Sequence, residues 1–571
     1  MVKNKKDIII GIVLTALLLV VFLTRISAYL FMEVLQEAKF VGAAIGMANI
    51  FDIFSPQLNG SVFFDAGPLY YLILHISSLI FGGFTEFSVR FPSVIVYLSM
   101  FLVTYVLVRR MTNKKYALIS AVTTSSLVLL ILFSTISSPY MLSSCFAIGA
   151  ILSAVTSVFS NNKKHKQWYF LWFWIGITLA VLIGGLQTVL LPLAVVIPVV
   201  IFSRRKKEFL TFTNFFPGVM IFVVVIYGAL LLSCKINNYN HFTYIPELLE
   251  KNFAIDFSGK HYLCHLKKFA IAFVVGIMPW FFSFLAMIAS YMFRVLKFLK
   301  NGHYFSQFEM TNERKVFCIS MWGFFVSLLL LVIYPKNNYA TLIPTLFFAA
   351  MTVAHYWYKY VDMDRHKLSV NYSSLIFYSS ILLVTVGTVI VYFFFSQIQK
   401  TYIESLIPPL IILTLFVAIP GIIAIVLRRK VLNYSVHAFS SVLFFFILTG
   451  LLFNYVNSFG ENDLVNFSIK AKKDGARLVT YDVPNKYSMD YYFKAPVVFN
   501  GKMTAEEIFN NYGDTTEVYV VLKLADLAYF DKFFVYEIIA TGKQYCEITN
   551  IKYLPKDEVK ANPEIAPDEE V

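Results

Sequence analysis

The sequence is poor in charged residues. Only 14% of its 571 residues are Asp, Glu, Lys or Arg, whereas 58% are hydrophobic. A soluble protein carries about 25% charged residues, because its surface must be solvated by water. The composition therefore excludes an ordinary soluble protein and predicts one whose solvent is mostly lipid.

Cysteine is also scarce. The chain has five cysteines and no CxxC or Cys–His cluster, so a structural zinc site, or any other metal site, is not expected. Cys234 and Cys264 both fall near one predicted external loop. They are either a disulfide pair formed outside the cytoplasm or two unrelated buried thiols.

The sequence lacks the glycine-rich loops that bind nucleotides. It has neither a GxxxxGK[ST] loop nor a GxGxxG motif, which argues against ATP-driven transport by this chain. No certain cofactor is predicted. The net charge of +14 could suggest nucleic acid, but from Glu461 onward 13 Lys and Arg oppose 19 Asp and Glu. Residues 1–460 therefore carry +20, mostly in short loops between apolar segments, and no nucleic-acid partner is expected.

Apolar segments long enough to span a membrane recur along residues 1–460. A spanning helix needs about 20 apolar residues. The predicted crossings are thirteen in number and lie at 8–26, 89–108, 116–134, 140–159, 168–183, 187–203, 212–234, 266–293, 316–333, 339–357, 373–396, 403–427 and 433–455.

The charges of the loops predict the orientation. Lys3, Lys5 and Lys6 precede the first apolar segment, and no cleavage site follows, so this segment is predicted to be a retained anchor with the N-terminus in the cytoplasm. Later basic clusters, such as Arg204–Lys207, fall on the same side. Crossing at the apolar stretch 69–81 would put them outside, so this stretch is predicted to be a short interfacial helix.

The predicted architecture is an all-α polytopic membrane domain over residues 1–460 with a small α/β domain outside. The first external loop spans 27–88 and the second spans 235–265. After Tyr455, strand patterns at 476–483, 496–499 and 517–522 alternate with helix patterns at 504–511 and 524–532. The external domain is placed at 461–555, and a disordered tail at 556–571.

The first external loop carries a motif. Residues 36–71 read QEAKFVGAAIGMANIFDIFSPQLNGSVFFDAGPLYY, and EFSVRFPS follows at 86–93. This resembles the first loop of the membrane-embedded GT-C glycosyltransferases that use polyprenyl-phosphate sugars. Within them it is most similar to the bacterial branch of lipid A aminoarabinose transferases and protein-mannosyltransferase-like proteins. Met278-Pro279-Trp280 and the external YDVPNKYSMDYYFKAPVV add to the resemblance.

The resemblance implies an outward catalytic cleft and an inverting transfer. The donor would be a sugar on a polyprenyl phosphate, and the acceptor a lipid A phosphate, a surface glycan or a protein hydroxyl. Glu37 is the expected catalytic acid, with Gln36 at the position where the family has its leading Asp. The expected substrate-binding residues are Lys39, Asp65, Arg90, Lys336 and Tyr339.

Four charged positions of the family are neutral in this sequence. Gln36 and Ser138 replace aspartates, Ala66 replaces a lysine, and the Ile183–Leu186 turn lacks another lysine. An ionised phosphate acceptor tolerates the loss of a base better than a hydroxyl does. The missing lysines weaken the stabilisation of the leaving phosphate.

Each candidate residue also has a structural interpretation. Lys39 and Lys336 could extend to lipid headgroups, Arg90 could pair with Glu86 four residues earlier, and Asp65 could cap the helix that begins at Pro68. Glu37 is predicted to lie in a loop at a wet cleft, where its carboxylate would add little stability.

The sequence therefore predicts a multi-pass glycosyltransferase of the bacterial inner membrane that acts at the periplasmic face. Two alternatives stay open. One is a pseudoenzyme that binds polyprenyl lipids as a partner subunit. The other is a flippase for such lipids, although the low charge within the predicted spans argues against an ion-coupled carrier.

Overall fold

The structure is a computed structural model of the whole chain. It describes residues 36–47, 50–58, 61–63, 65–202, 212–253, 259–301, 311–334, 338–394, 406–458, 461–483, 487–495 and 497–554. Two compact units are present. Of the described residues, those within 49–55 and 63–449 form the membrane unit; those within 27–48, 56–62 and 450–571 form the second unit, which is named the external unit after its predicted placement. The predicted first crossing at 8–26 and the tail at 556–571 lie outside the described residues.

The membrane unit is helical. Within its described residues the helices are α2 (Pro68–Ile80), α3 (Glu86–Met111), α4 (Lys114–Ser125), α5 (Val128–Ser134), α6 (Pro139–Phe159), α7 (Lys163–Gly184), α8 (Leu190–Ile201), α9 (Phe212–Ile236), α10 (His241–Phe253), α11 (Gly259–Gly276), α12 (Phe281–Asn301), α13 (Asn312–Ile333), α14 (Ile343–Val361), α15 (Lys367–Phe394), α16 (Leu406–Val426, with a π-helical turn at Thr414–Ala418) and α17 (Lys430–Ser458). Helix α1 (Glu37–Ile45) belongs to the external unit.

The multi-pass membrane class is confirmed. Nine helices of the described residues are long and apolar enough to cross a membrane, and two bent helix pairs bring the number to as many as 11. The prediction of one continuous helix at 266–293 is wrong, because α11 and α12 meet there at 100°. The predicted crossing at 116–134 is likewise broken, with α4 and α5 meeting at 65°. The segment predicted at 187–203 contains only the 12-residue α8 after a short 3-10 turn.

The two breaks face each other, which explains how the membrane interior accommodates them. Pro279 cannot continue a helix because it has no N–H to donate. The indole of Trp280 donates to the Ser126 hydroxyl at 2.9 Å. The amide of Val128 donates to the carbonyl of Met278 at 3.3 Å. Polar groups released at one break therefore bond to groups at the other, as a lipid solvent requires.

Two further expectations concern the outer loops. The stretch at 69–81 forms the 13-residue α2, which is shorter than the roughly 20 residues a crossing needs. The disulfide interpretation of Cys234 and Cys264 is wrong in this structure, since both thiols are free, the first buried and the second exposed. The spacing of two cysteines around one loop therefore did not predict their pairing.

The external unit contains a five-stranded sheet, as the α/β prediction required. Its strands are β3 (Arg477–Tyr481), β4 (Val498–Asn500), β5 (Val518–Lys523), β6 (Phe534–Thr541) and β7 (Tyr545–Tyr553), in the order β4-β3-β5-β7-β6. Strands β4, β3 and β5 are parallel, whereas β7 runs antiparallel to both β5 and β6. The sequence patterns located the three parallel strands but missed the antiparallel pair.

Helices cover both faces of this sheet. They are α18 (Glu461–Asp474), α19 (Tyr487–Phe493), α20 (Ala505–Tyr512) and α21 (Leu527–Phe533). Alternation along β5 separates two cores: Val520 and Leu522 pack with residues of α20 and α21, and Val521 packs with residues of α18 and α19. Helix α1 also belongs to this unit, where it packs against α19 and against the two-residue strand β1 (Gln57–Leu58), which pairs with β2 (Ser61–Val62).

Candidate functional site

The motif helix α1 carries the predicted catalytic residues within the external unit. Gln36 has a left-handed backbone with φ 60°, a conformation uncommon outside glycine. Glu37 opens the helix and is completely buried, whereas Lys39 is half-buried. The prediction that Glu37 lies in a loop at a wet cleft is therefore wrong. An acidic side chain in the first turn is favoured by the helix dipole, and burial strengthens any charge interaction it makes.

Close packing holds α1 in place. A side chain at Gly46 would place its Cβ 2.2 Å from the carbonyl oxygen of Gln57 on β1. At Gly42, the Cβ would lie 3.2 Å from a methyl group of Leu58. The small residues of the motif thus allow α1 to contact the hairpin that follows it, which fixes the orientation of Glu37 within this unit.

In the membrane unit, the second part of the motif forms the turn before α2. Asp65 is exposed, and its carbonyl oxygen accepts a hydrogen bond from the Tyr140 hydroxyl at 3.4 Å. The capping interpretation of Asp65 is wrong: Gly67 is the N-cap residue of α2, and no side chain caps this helix. Pro68 occupies the first helical position, where its lack of an N–H costs nothing. Asp65 therefore lies at the surface beside α6.

The two segments that lack the lysines found in the family contact each other. The amide of Gly67 donates to the carbonyl of Ile183, at the end of α7, at 2.9 Å. A Cβ on Gly67 would lie 2.1 Å from the carbonyl oxygen of Leu182. A Cβ on Gly184 would meet the Ser143 hydroxyl oxygen at 2.4 Å. A lysine side chain at position 184 would not fit. The segments that have lost the family's charges therefore form a tightly packed junction.

Two tyrosines of α2 lie behind this turn. The hydroxyls of Tyr70 and Ser137 form a hydrogen bond of 2.8 Å, and the Tyr70 and Tyr71 rings meet edge to face at 5.6 Å. Burial, followed by the nearby Tyr70 and the Asp65 carboxylate, raises the pKa of Tyr71 well above its usual value. Its hydroxyl therefore stays protonated at neutral pH and can act as a hydrogen-bond donor.

Arg90 lies in the second turn of α3 and is only 1% exposed. The helix starts with a capping box in which Thr85 and Ser88 exchange side-chain and backbone hydrogen bonds. A guanidinium cannot lose its proton, so a buried arginine keeps its charge inside the protein. Arg90 is consequently a fixed cation of the membrane unit.

A polar cavity of about 130 Å³ opens near the start of α6. Its lining comes from α6, from the segment after α7, from the C-terminal end of α13 and from the N-terminal end of α14, and among the described residues it includes no charged side chain. The hydroxyl and amide groups that line it belong to Tyr140, Ser143, Ser144, Gln187, Thr188, Ser327, Tyr334 and Thr341.

Several buried polar groups at this end of the membrane unit have no hydrogen-bond partner among the described residues. They are the hydroxyls of Tyr71, Ser138 and Thr345 and the side-chain nitrogen of Asn338. Buried polar atoms in folded proteins are nearly always paired, and exceptions often mark functional positions. Ser138 is the residue that replaces a family aspartate, whereas Asn338 and Thr345 carry no signal that sequence reasoning could have used.

The remaining predicted residues are placed as follows. Tyr339 begins a 3-10 turn at Tyr339–Leu342, and its ring lies 5.9 Å from the ring of Phe269. Lys336 lies outside the described residues. Asp65, Arg90 and Tyr339 belong to the membrane unit, and Gln36, Glu37 and Lys39 belong to the external unit. Convergence of the two sets on one cleft stays a prediction.

Comparisons with known proteins identify the class. Residues 65–231 match the family model of dolichyl-phosphate-mannose-protein mannosyltransferases. No curated protein sequence matches the chain significantly.

The fold matches two crystal structures of ArnT from Cupriavidus metallidurans. The apo structure has a TM-score of 0.70 and 12% identity and covers 95% of this chain and 98% of ArnT. The structure bound to undecaprenyl phosphate has a TM-score of 0.70 and 13% identity and covers 94% and 97% of the two chains. The resemblance seen in the first loop is thus confirmed: this chain has the fold of the GT-C membrane glycosyltransferases.

Proposed function

We propose that this protein transfers a sugar from a polyprenyl-phosphate donor to an envelope lipid, glycan or protein at the periplasmic face of a bacterial inner membrane. The observation that carries the proposal is the match of nearly the whole chain to the ArnT fold, because one of the two matched structures holds undecaprenyl phosphate. Polar groups at the outer end of the membrane unit also support a ligand site there.

The proposed chemistry assigns a role to each charged residue. Arg90, together with Lys39 and Lys336, would offset the charge that develops on the leaving phosphate. Glu37 would act on the acceptor or stabilise positive charge at the anomeric carbon. Asp65 and Tyr339 would contact the substrate. None of these steps needs a metal ion.

The neutral substitutions favour a phosphate acceptor such as that of lipid A. A hydroxyl must lose a proton during attack, and the family's aspartates are replaced by Gln36 and Ser138 in this chain. A phosphate monoester is ionised at neutral pH and needs no such base. The loss of two aspartates therefore costs less for a phosphate acceptor than for a serine or threonine hydroxyl.

The same substitutions support a second candidate, a partner subunit that binds polyprenyl lipid without catalysis. The contact between Gly67 and Ile183 brings together the two segments that lack the family's lysines. An uncharged junction there would bind a lipid phosphate less tightly and would stabilise its departure less.

Envelope lipids and glycans from cells with and without the protein test the proposal. Mass spectrometry of lipid A and of surface glycans should reveal a sugar that disappears on deletion and returns on complementation. In parallel, purified protein should retain undecaprenyl phosphate. Retention of the lipid with an unchanged set of glycans would replace the transferase proposal with the partner role, and loss of both would reject both.

A further inference from the structure

A second cavity lies between three spanning helices of the membrane unit. It has a volume of about 450 Å³ and is lined by α3 from Val96 to Leu107, by α6 from Cys145 to Ser153 and by α7 from Tyr169 to Leu179. This volume is within the range of about 300–1,000 Å³ that small-molecule sites occupy. The lining is almost entirely apolar, so the groove suits a hydrocarbon chain.

Small residues form the floor of this groove. A Cβ on Gly176 would lie 2.9 Å from the Cβ of Ala150, so α6 and α7 touch there and close the base. A Cβ on Gly149 would meet only a methyl group of Val103, at 3.9 Å. A Cβ would therefore fit at Gly149, but a larger side chain there would extend into the groove that Gly149 lines between α3 and α6.

The groove is open on the exposed side of these helices. Leu102, Val106 and Trp172 line it and are 59%, 47% and 55% exposed. These residues lie within helices long and apolar enough to span a membrane, where the surrounding solvent is hydrocarbon. A lipid chain, not a polar metabolite, is the molecule that can enter from that side.

One end of the groove is basic. Arg109 and Arg110 follow Leu107 by two and three residues, about 3 and 5 Å along the α3 axis. Lys163 and Lys164 begin α7, six and five residues before Tyr169. All four are exposed, and none forms an ion pair among the described residues.

Aromatic side chains mark the same end as an interfacial region. Trp168 is 62% exposed, and the guanidinium of Arg109 lies 5.9 Å from the centre of the Tyr105 ring. Amphipathic aromatic rings are enriched at the headgroup level of membranes. Basic pockets between spanning helices are the type of site that binds anionic lipid headgroups.

We infer that this groove binds one anionic glycerophospholipid, with an acyl chain along α3, α6 and α7 and its phosphate at Arg109, Arg110, Lys163 and Lys164. The site is separate from the polar cavity around Tyr140 at the opposite end of α6. The inference rests on the fold and the charges and does not depend on the proposed glycosyl transfer.

Native mass spectrometry of the full chain tests the inference. Protein purified in mild detergent is titrated with phosphatidylglycerol and, separately, with phosphatidylcholine. We expect one phosphatidylglycerol to be retained at least tenfold more tightly than phosphatidylcholine. Gly149→Leu should weaken retention of phosphatidylglycerol at least tenfold, because its side chain fills the groove. Gly387→Leu, at a spanning position with no atom within 4 Å of the added Cβ, is the matched control and should retain the lipid.

A charge variant and a cross-linking experiment complete the test. Arg109→Gln with Arg110→Gln should remove the preference for phosphatidylglycerol, whereas Arg428→Gln with Arg429→Gln should keep it. A phosphatidylglycerol with a photoreactive acyl chain should label peptides of α3, α6 and α7 in the wild-type protein. Equal retention by Gly149→Leu and Gly387→Leu, labelling elsewhere, or displacement of phosphatidylglycerol from these helices by undecaprenyl phosphate would overturn the inference.

Discussion

The Tyr70 hydroxyl bonds the Ser137 hydroxyl at 2.8 Å, whereas the hydroxyl of its neighbour Tyr71 is buried with no partner among the described residues. The two side chains follow each other in α2 and lie at the same end of the membrane unit. One hydroxyl therefore contributes a hydrogen bond to the fold, whereas the other makes none with the described residues.

This contrast predicts opposite effects of removing each hydroxyl. Tyr70→Phe should lower stability by about 1 kcal/mol, the usual net value of a hydrogen bond. Tyr71→Phe should leave stability within about 0.5 kcal/mol or raise it, but should weaken substrate use if its hydroxyl donates to the ligand. Thermal unfolding in detergent and glycan mass spectrometry measure the two effects. Equal destabilisation by both changes would contradict the assignment.

Glu37→Gln tests whether the chain is an enzyme. The change removes the charge but keeps the shape, and it should lower the transfer rate by about 10²–10⁴ if Glu37 acts as a general base. Gln36→Asp restores the family's acid and should leave activity equal or higher. The readout is the sugar identified on envelope lipids, with the melting temperature as the control for folding. An unchanged glycan in the Glu37→Gln strain would remove Glu37 from the site.

Gly67→Ala should destabilise the protein because the added Cβ would lie 2.1 Å from a backbone oxygen. Overpacking of this kind costs about 1–3 kcal/mol. Gly228→Ala is the control, since nothing lies within 4 Å of its Cβ, and alanine is the better helix former. Melting temperatures should fall for the first change only. A Gly67→Ala protein as stable as wild type would show that the α2–α7 junction can relax.

Stability of the external unit should depend on pH through Glu547. This residue is completely buried on β7, and neither carboxylate oxygen has a hydrogen-bond partner among the described residues. Burial raises its pKa from 4.5 to about 8, against the opposing charge of Lys470. The native state therefore holds a proton that the unfolded state releases between these two values, and stability should fall as pH rises through this window, by up to about 1.4 kcal/mol per unit.

Hydrogen exchange of β5 and β7 in the full-length protein, at pH 5, 7 and 8.5, measures this dependence after correction for the intrinsic exchange rate. Glu547→Gln should flatten the curve and protect these strands above pH 7. The exposed Glu506→Gln should retain the wild-type curve. A wild-type profile in Glu547→Gln would mean that another group causes the dependence.

The charge pattern of the loops predicts the topology. A reporter fused after Lys207 should read cytoplasmic, and one fused after Tyr239 should read periplasmic, because α9 separates them. The expectation depends on α2 not crossing and on the short apolar segment Leu186–Ile201 crossing. A periplasmic signal after Lys207 would reverse the orientation of every later helix and with it the placement of the site.

The sequence by itself determined the class of this protein. Runs of about 20 apolar residues are sufficient to define spanning helices, since each satisfies its own backbone hydrogen bonds. The motif between Gln36 and Tyr71 pointed to the glycosyltransferase fold, which the structural comparison confirmed. The parallel strand β3 was recognisable because Leu478, Val479 and Thr480 form a short run without alternation, and all three are buried.

Only the tertiary structure decided which motif residues are buried and which segments they contact. Glu37 is buried at the start of α1, which packs on β1 and on α19, an element about 450 positions away in sequence. No local pattern encodes these contacts. The break at Pro279 lies within an otherwise continuous apolar run, and it is tolerated because Trp280 finds the Ser126 hydroxyl on another broken helix. Likewise, Gly184 marks a lost charge in the sequence and Gly67 follows another at Ala66, but in the fold both glycines are contact points where a side chain would not fit. Such contacts between distant segments depend on the folded geometry, which apolar periodicity does not specify.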